Sequence, residues 1–166
     1  MIKKHPIALF VNTGERQAPV WTRIQKSTAL TLAMNPETEE VDYIADESPT
    51  EELVKYKPSI EQPLKMIKGE PDFEYFWDKF FAMDTGNEAK TDYLIVFYFD
   101  KIEGEEQPTY KAWNGECTIS FNELNAVDSE LNFDLMFGGT VLRGLATVAN
   151  GVPTFAEGTE AVADGE

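Results

Sequence analysis

A chain of 166 residues with 42% apolar and 12% aromatic side chains has the size of one domain and is too apolar to stay disordered. Cys117 is the single cysteine, which excludes an intrachain disulfide. Lys and Arg number 14 against 30 Asp and Glu, a formal charge of −16, and such a surface repels nucleic acid and anionic membrane because it adds like charge instead of releasing counterions. The start, Met1-Ile2-Lys3-Lys4-His5-Pro6, leads into a short apolar run. No later stretch approaches the roughly 20 apolar residues that span a bilayer, so neither a standard secretion signal nor a membrane segment is expected.

Residues 7–11 are expected to form a first strand, followed by a polar loop holding Gly14 and Pro19. Residues 28–34 alternate, with Leu30, Leu32 and Met34 on one face and Thr31 and Ala33 on the other, the period of a half-buried strand. Asn35-Pro36-Glu37 breaks that strand, residues 40–44 are a candidate return strand, and residues 45–58 form a long connection containing Pro49 and Pro58. Between residues 37 and 52 stand Glu37, Glu39, Glu40, Asp42, Asp46, Glu47, Glu51 and Glu52 with no basic residue. A charge run of this kind is either a solvated loop or a contact surface. Compact domains seldom carry long loops without using them, which makes residues 45–58 a candidate contact arm, and Asp42, Asp46, Glu47, Glu51 and Glu52 are the candidate contact residues.

Residues 59–67 form a weaker strand in which Pro63, lacking a ladder donor, marks an edge or a bulge. Gly69-Glu70-Pro71-Asp72 then opens a helix predicted over about residues 71–83: Pro71 suits the first helical position, and Asp72 and Glu74 complement the positive end of the dipole. Phe73, Phe76, Trp77, Phe80 and Phe81 fall on one stripe, and burying them at roughly 1.5–3 kcal/mol each would contribute on the order of 10 kcal/mol, so the helix is expected to lie on a sheet. The run Leu94-Ile95-Val96-Phe97-Tyr98-Phe99 fits a strand covered on both faces.

Residues 109–121 follow as β structure in which Asn114-Gly115 is either a hairpin turn or a kink in one long strand. Leu131, Phe133, Leu135 and Phe137 alternate with polar neighbours, and Gly138-Gly139 is expected to turn the chain into a strand over residues 140–148. Residues 1–150 thus read as one mainly β domain, α+β by count: two packed antiparallel sheets in a sandwich or barrel with one flanking helix. Residues 151–166, rich in Gly, Ala and Glu with Phe155 as the only large side chain, read as an acidic mobile tail.

Catalytic chemistry finds little support. His5 is the only histidine, which removes imidazole-based triads and multi-histidine zinc sites, and the glycines at 138, 139 and 144 do not spell a phosphate loop. Glu116, Glu123 and Asp134 lie on or beside strands, but among 30 acids some pair always looks suggestive of acid/base work. The acidic run lacks the spacing of a calcium loop. No catalytic residue, cofactor or metal ligand is assigned.

The segments Thr22-Arg23-Ile24-Gln25-Lys26-Ser27-Thr28, Asn35-Pro36-Glu37-Thr38-Glu39-Glu40, Tyr43-Ile44-Ala45-Asp46-Glu47 and Tyr56-Lys57-Pro58-Ser59 resemble the major tail tube protein of long-tailed, non-contractile bacteriophages and prophages. So do Asn114-Gly115-Glu116-Cys117-Thr118-Ile119-Ser120, Asn122-Glu123-Leu124-Asn125-Ala126-Val127-Asp128, Leu131-Asn132-Phe133-Asp134-Leu135 and Gly138-Gly139-Thr140, and the likeness spans residues 20–148. The resemblance implies a structural virion protein whose hexameric rings stack into a hollow tail tube, a conduit through which DNA is ejected without specific binding. It implies an early loop that reaches the adjoining ring, at the position of residues 35–58. The implied partners are further copies of the chain, tape-measure, tail-terminator and distal-tail or baseplate proteins, with the virion tail, assembled in the bacterial host cytoplasm, as the location.

The charge fits that implication, since an acidic lumen would keep a passing duplex from sticking. Leu94, Val96 and Tyr98 are the candidate strand for pairing between subunits. Other readings left open are a tail terminator, an inner tube of a secretion or contractile apparatus, and a sugar- or calcium-binding β-sandwich module.

Overall fold

The structure, a computed structural model, describes residues 7–15, 17–25, 30–45, 47–104, 106–150 and 152–157. In chain order these form β1 (Ile7–Asn12), β2 (Trp21–Arg23), β3 (Thr31–Ala33), β4 (Pro36–Val41), β5 (Thr50–Tyr56), β6 (Ser59–Lys65), α1 (Pro71–Ala82), a 3-10 turn (Gly86–Ala89), β7 (Lys90–Lys101), β8 (Thr109–Asn125), β9 (Glu130–Ala149) and β10 (Val152–Glu157). Eight strands make one antiparallel sheet in the order β2-β1-β7-β8-β9-β6-β3, with β10 also paired to β9, while β4 and β5 pair only with each other. The mainly β class with a single α-helix is the expected one.

The large sheet curls on itself around the flanking helix, the barrel form of the expected fold. Asp72 of α1 accepts a hydrogen bond from the Gln25 backbone N–H at 3.0 Å, just past β2, and Phe76, one helical turn on, stacks on Phe133 of β9 with ring centroids 4.3 Å apart. Strands β2 and β9 are four places apart in the sheet order, about 19 Å if the sheet were flat. Reaching both from a single turn of helix requires the sheet to curl around α1. The core formed this way takes Leu9 and Val11 from β1, Tyr93 and Ile95 from β7, Cys117 and Ile119 from β8, Leu131, Phe133 and Leu135 from β9, and Ile60 and Leu64 from β6. The opposite face of β1, β7, β8 and β9 carries a second, smaller core of Ala8, Phe10, Leu94, Val96, Ala112 and Ala146. Burial on both faces is why residues 93–96 show no polar alternation.

The curl is concentrated where the two longest strands are irregular together. β8 runs without a turn from Thr109 to Asn125, so Asn114-Gly115 is a kink and not a hairpin, with a register shift against β9 between Asn114 and Glu116. β9 likewise runs straight through Gly138-Gly139, which corrects the expected glycine turn. Gly138 pairs with Glu116 and Gly139 sits at φ +62°, a left-handed backbone that glycine adopts without a Cβ clash. The true β8–β9 turn is at residues 126–129, where Asn125 Oδ1 accepts the N–H groups of Val127 and Asp128 and Ser129 takes φ 55°.

Two further expectations change. Residues 152–157 are not a mobile tail but the strand β10, joined to β9 by a two-residue connection in which Ala149 pairs with Val152 and Asn150 takes φ 53°. Asn150-Gly151 is itself a strong hairpin signal, and the weakly apolar sequence around it hid the strand. The remaining tail residues, 158–166, lie outside the described residues. The strand expected over 28–34 is confined to Thr31–Ala33, with 26–29 outside the described residues. Pro63 opposes Asn132 of β9 on the part of β6 that β3 does not reach, the edge position expected for it.

A Cβ added at either Gly138 or Gly139 meets nothing within 4 Å, so the two positions differ in backbone conformation alone. Gly139→Ala is expected to cost about 1–2 kcal/mol of unfolding free energy in chemical denaturation. Gly138→Ala is expected to be neutral or stabilising by up to about 1 kcal/mol.

Candidate assembly surfaces

The segment read as a contact arm is a β-hairpin. Cross-strand pairing runs from Pro36↔Tyr56 at its base to Val41↔Thr50 near its tip, with a bulge between Glu37 and Thr38. The acidic composition and the flanking Pro49 and Pro58 concealed β5, whose Leu53-Val54-Lys55-Tyr56 end has the β propensity that could have revealed it. At the base, the Asn35 side chain donates to Lys57 O and Ser59 Oγ, both at 3.0 Å, with Asn35 at φ 44°, and Lys57 and Lys55 flank Glu37. The hydrogen bond from Lys57 is the main reason the Glu37 carboxyl is held below its ordinary range.

Beyond the base the arm is exposed on both faces. Glu51 and Glu52 lie on β5, and Asp42 and Glu47 lie in the exposed connection; Asp46 is outside the described residues. Glu39 stands directly opposite Glu52 and Glu40 opposite Glu51, like charges whose cross-strand pairing destabilises a ladder. Thr38 Oγ1 donates to Glu51 at 3.3 Å, and the Tyr43 hydroxyl donates to Glu52, which pushes the Tyr43 pKa up. Tyr43, Ile44, Leu53, Val54 and Tyr56 are also exposed, apolar contributions the acidic run hid from sequence reading. A lone two-stranded ribbon is at best marginally stable in water, so this arm is suited to lying against another surface.

The other expected sites divide differently. The aromatic stripe of α1 splits: Phe76 is fully buried, Phe80 packs edge-on against Phe121 at 5.4 Å, and Phe73 is half-buried, whereas Phe81 is 76% exposed. Phe73 stacks on Trp77 at 6.2 Å and Phe81 meets Trp77 at a tilt at 5.8 Å, on a line one position round from the docked face. Phe81 therefore does not dock on the core, a correction to the expected five-residue stripe. Tyr75, absent from that stripe, donates to Thr91 Oγ1 at 2.9 Å, and Thr91 in turn donates to Asn12 O at 3.0 Å, tying the helix to β7 and β1.

Strand β7 is not an edge. Leu94 pairs with Phe10 and Asn114, and Val96 with Ala8 and Ala112, so their backbone groups are already engaged on both sides. Leu94 and Val96 thus cannot pair with another subunit, which corrects that expectation. Tyr98 lies in the irregular stretch between Phe97 and Lys101, edge-on to Tyr110 at 4.9 Å with the Arg23 guanidinium 5.8 Å from its ring centre.

The described residues contain no group of three or more His, Cys, Asp or Glu placed to hold a metal ion. Cys117 is buried among apolar side chains, and burial first, then Asp92 and Glu116, pushes its thiol up to about 12, away from nucleophilic use. A polar cleft of about 420 Å³ beside the end of α1 is lined by Lys79, Lys90, Asp84, Glu88 and Asp92 among others. Lys79 donates to Glu88 O at 2.7 Å and lies 3.9 Å from Asp84, contacts that hold the 3-10 turn against the helix.

No protein-family model and no curated protein sequence matches the chain. The fold does have solved counterparts. One is a chain of the "Tail of empty GTA particle computed with helical refinement, C6 symmetry", with TM-score 0.55 and 11% identity, covering 84% of this chain and 96% of that one. Another belongs to the "Virion of native gene transfer agent (GTA) particle", with TM-score 0.52 and 12% identity, covering 84% of this chain and 95% of that one. The fold is thus one also found in the tail of a phage-like particle.

Denaturation separates the two sides of α1. Phe76→Ala is expected to destabilise by about 3–5 kcal/mol. Phe81→Ala should stay within about 0.5 kcal/mol of the unaltered chain.

Proposed function

We propose that this protein is a structural tail tube subunit of a phage or phage-like particle, whose copies close into six-membered rings that stack into a hollow conduit for DNA. The observation that carries the reading is the fold shared over 84% of the chain with a component of a C6-symmetric tail. Two features of this chain support it. The arm exposes apolar side chains and sets Glu39 against Glu52 and Glu40 against Glu51, as expected of a part completed by another subunit. The charge also fits a channel: six chains would carry 6 × −16 = −96, facing a duplex with one negative charge per roughly 1.7 Å. Screening over about 8 Å confines that repulsion to acids lining the lumen.

On this reading the protein is not an enzyme. Its main partner is itself, and DNA passes without specific contact. Tape-measure, terminator and distal-tail or baseplate proteins meet the tube at its ends and lumen, and the protein resides in the virion tail after assembly in the host cytoplasm. The curled sheet with α1 is the ring-forming body, and the β4–β5 arm reaches the next ring. Electron microscopy of the concentrated protein is expected to show sixfold rings and stacks of them. Deleting residues 46–52 should leave rings and the fold intact while abolishing long stacks. Compact monomers under every condition would overturn the reading, and normal tubes from the deletion would remove the arm's role.

A further inference from the structure

Outside the arm, aromatic and basic side chains gather at one place on the curled sheet. Phe97, Phe99 and Trp113 form a continuous ring cluster, Phe97 meeting Phe99 at 6.0 Å and Trp113 at 5.4 Å, both edge-on, and Phe99 is 52% exposed. The cluster lies six residues along β7 from Thr91, where Tyr75 ties down the helix, about 20 Å from that tie, with Phe97 and Trp113 half-buried against the far end of the main core. Lys111 stands between Phe97 on β7 and Leu145 on β9, and Arg143 stands opposite Trp113. Cross-strand partners point to one face, so both cations border the aromatic rings. Both are exposed, and Lys111 makes a solvent-exposed contact with Asp100 at 3.5 Å. Arg143 is the sole basic residue between 112 and 166, in a stretch holding nine acids.

We propose that this aromatic and basic patch receives the β4–β5 arm of a second copy of the chain. The inference rests on the self-assembly reading and names the surface that completes it. The two surfaces are complementary in both chemistries. One face of the arm offers Leu53 and Tyr56 beside Glu40 and Glu51, and the patch offers the exposed Phe99 ring and the half-buried Phe97 and Trp113 beside two cations. Guanidinium and ammonium groups placed against Glu40↔Glu51 would convert a like-charge repulsion inside the arm into attraction between copies. Arm and patch are different parts of one molecule, so the contact is head-to-tail and propagates, as a stack does, instead of closing a pair.

Charge exchange tests this. Lys111→Glu with Arg143→Glu on the patch, and separately Glu40→Lys with Glu51→Lys on the arm, are each expected to lower the mass of assembled protein recovered by sedimentation at least about tenfold. The four changes combined in one chain should recover assembly to within about twofold of the unaltered protein. Unimpaired assembly by the patch variant, or no recovery in the combined variant, would overturn the proposal. Should the double reversal on the patch lower the melting temperature, Arg143→Gln alone is expected to reduce assembly about fivefold, and full assembly there would overturn it equally. Failure of the unaltered chain to assemble at all would strike the underlying reading, a different result from assembly that ignores these charges.

Discussion

At one level of the sheet the two longest strands lose register together, β8 between Asn114 and Glu116 and β9 at Gly138-Gly139. The shared irregularity lets a ribbon of seventeen and twenty residues serve two different neighbourhoods. On one side of it β9 pairs with β6, and on the other with β10, while β7 stays paired with β8 on both sides. Tyr93 and Phe137 stack at 4.1 Å although β8 lies between their strands, and at that level β8 presents Gly115, which has no side chain to separate them. Without the bend, the faces that meet around Phe76 and Phe133 would lie side by side on a flat sheet, half of them in water.

The same arrangement determines what is left over. Both faces of the central strand are filled and both its edges are paired, so the body of the domain is complete within the chain. The arm is not complete: its strands meet only each other, its tip opposes carboxylate to carboxylate, and its tyrosines and aliphatics face solvent. A charge of −16 opposes any gathering of copies, so assembly has to draw on localised apolar and complementary contacts strong enough to exceed a diffuse repulsion. Segregating a closed core from an open arm meets that requirement, because the arm can gain from a partner without the core changing.

Features encoded by strong local periodicity were legible in the sequence. The first strand, the doubly buried run at 93–97 and the helix opening at Pro71 all follow from apolar spacing and capping chemistry. What escaped is decided by pairing over distance. Which side chains of the aromatic stripe dock depends on how α1 is rolled against β9, and periodicity could not separate Phe76 from Phe81. Gly138-Gly139 has the composition of a turn, and only its pairing with β8 makes it a bend within a strand. Strand β2, three residues long, carries too little pattern to register, and β10 has little apolar content of its own. Continuous hydrophobicity at 94–99 marks burial, not which neighbour supplies it, and both neighbours of β7 come from within the chain. Of the candidate contact residues, the carboxylates were visible by composition, whereas the hairpin that opposes them in pairs was not.

Amide hydrogen exchange in dilute and assembled protein tests the central claim, a closed body with an arm completed by another copy. The amides of β7 and β8 are expected to be protected in both states, while those of β4 and β5 exchange freely in the dilute chain and about a hundredfold more slowly after assembly. Arm amides already as protected as the core in the dilute monomer, or still unprotected in the assembled protein, would contradict it.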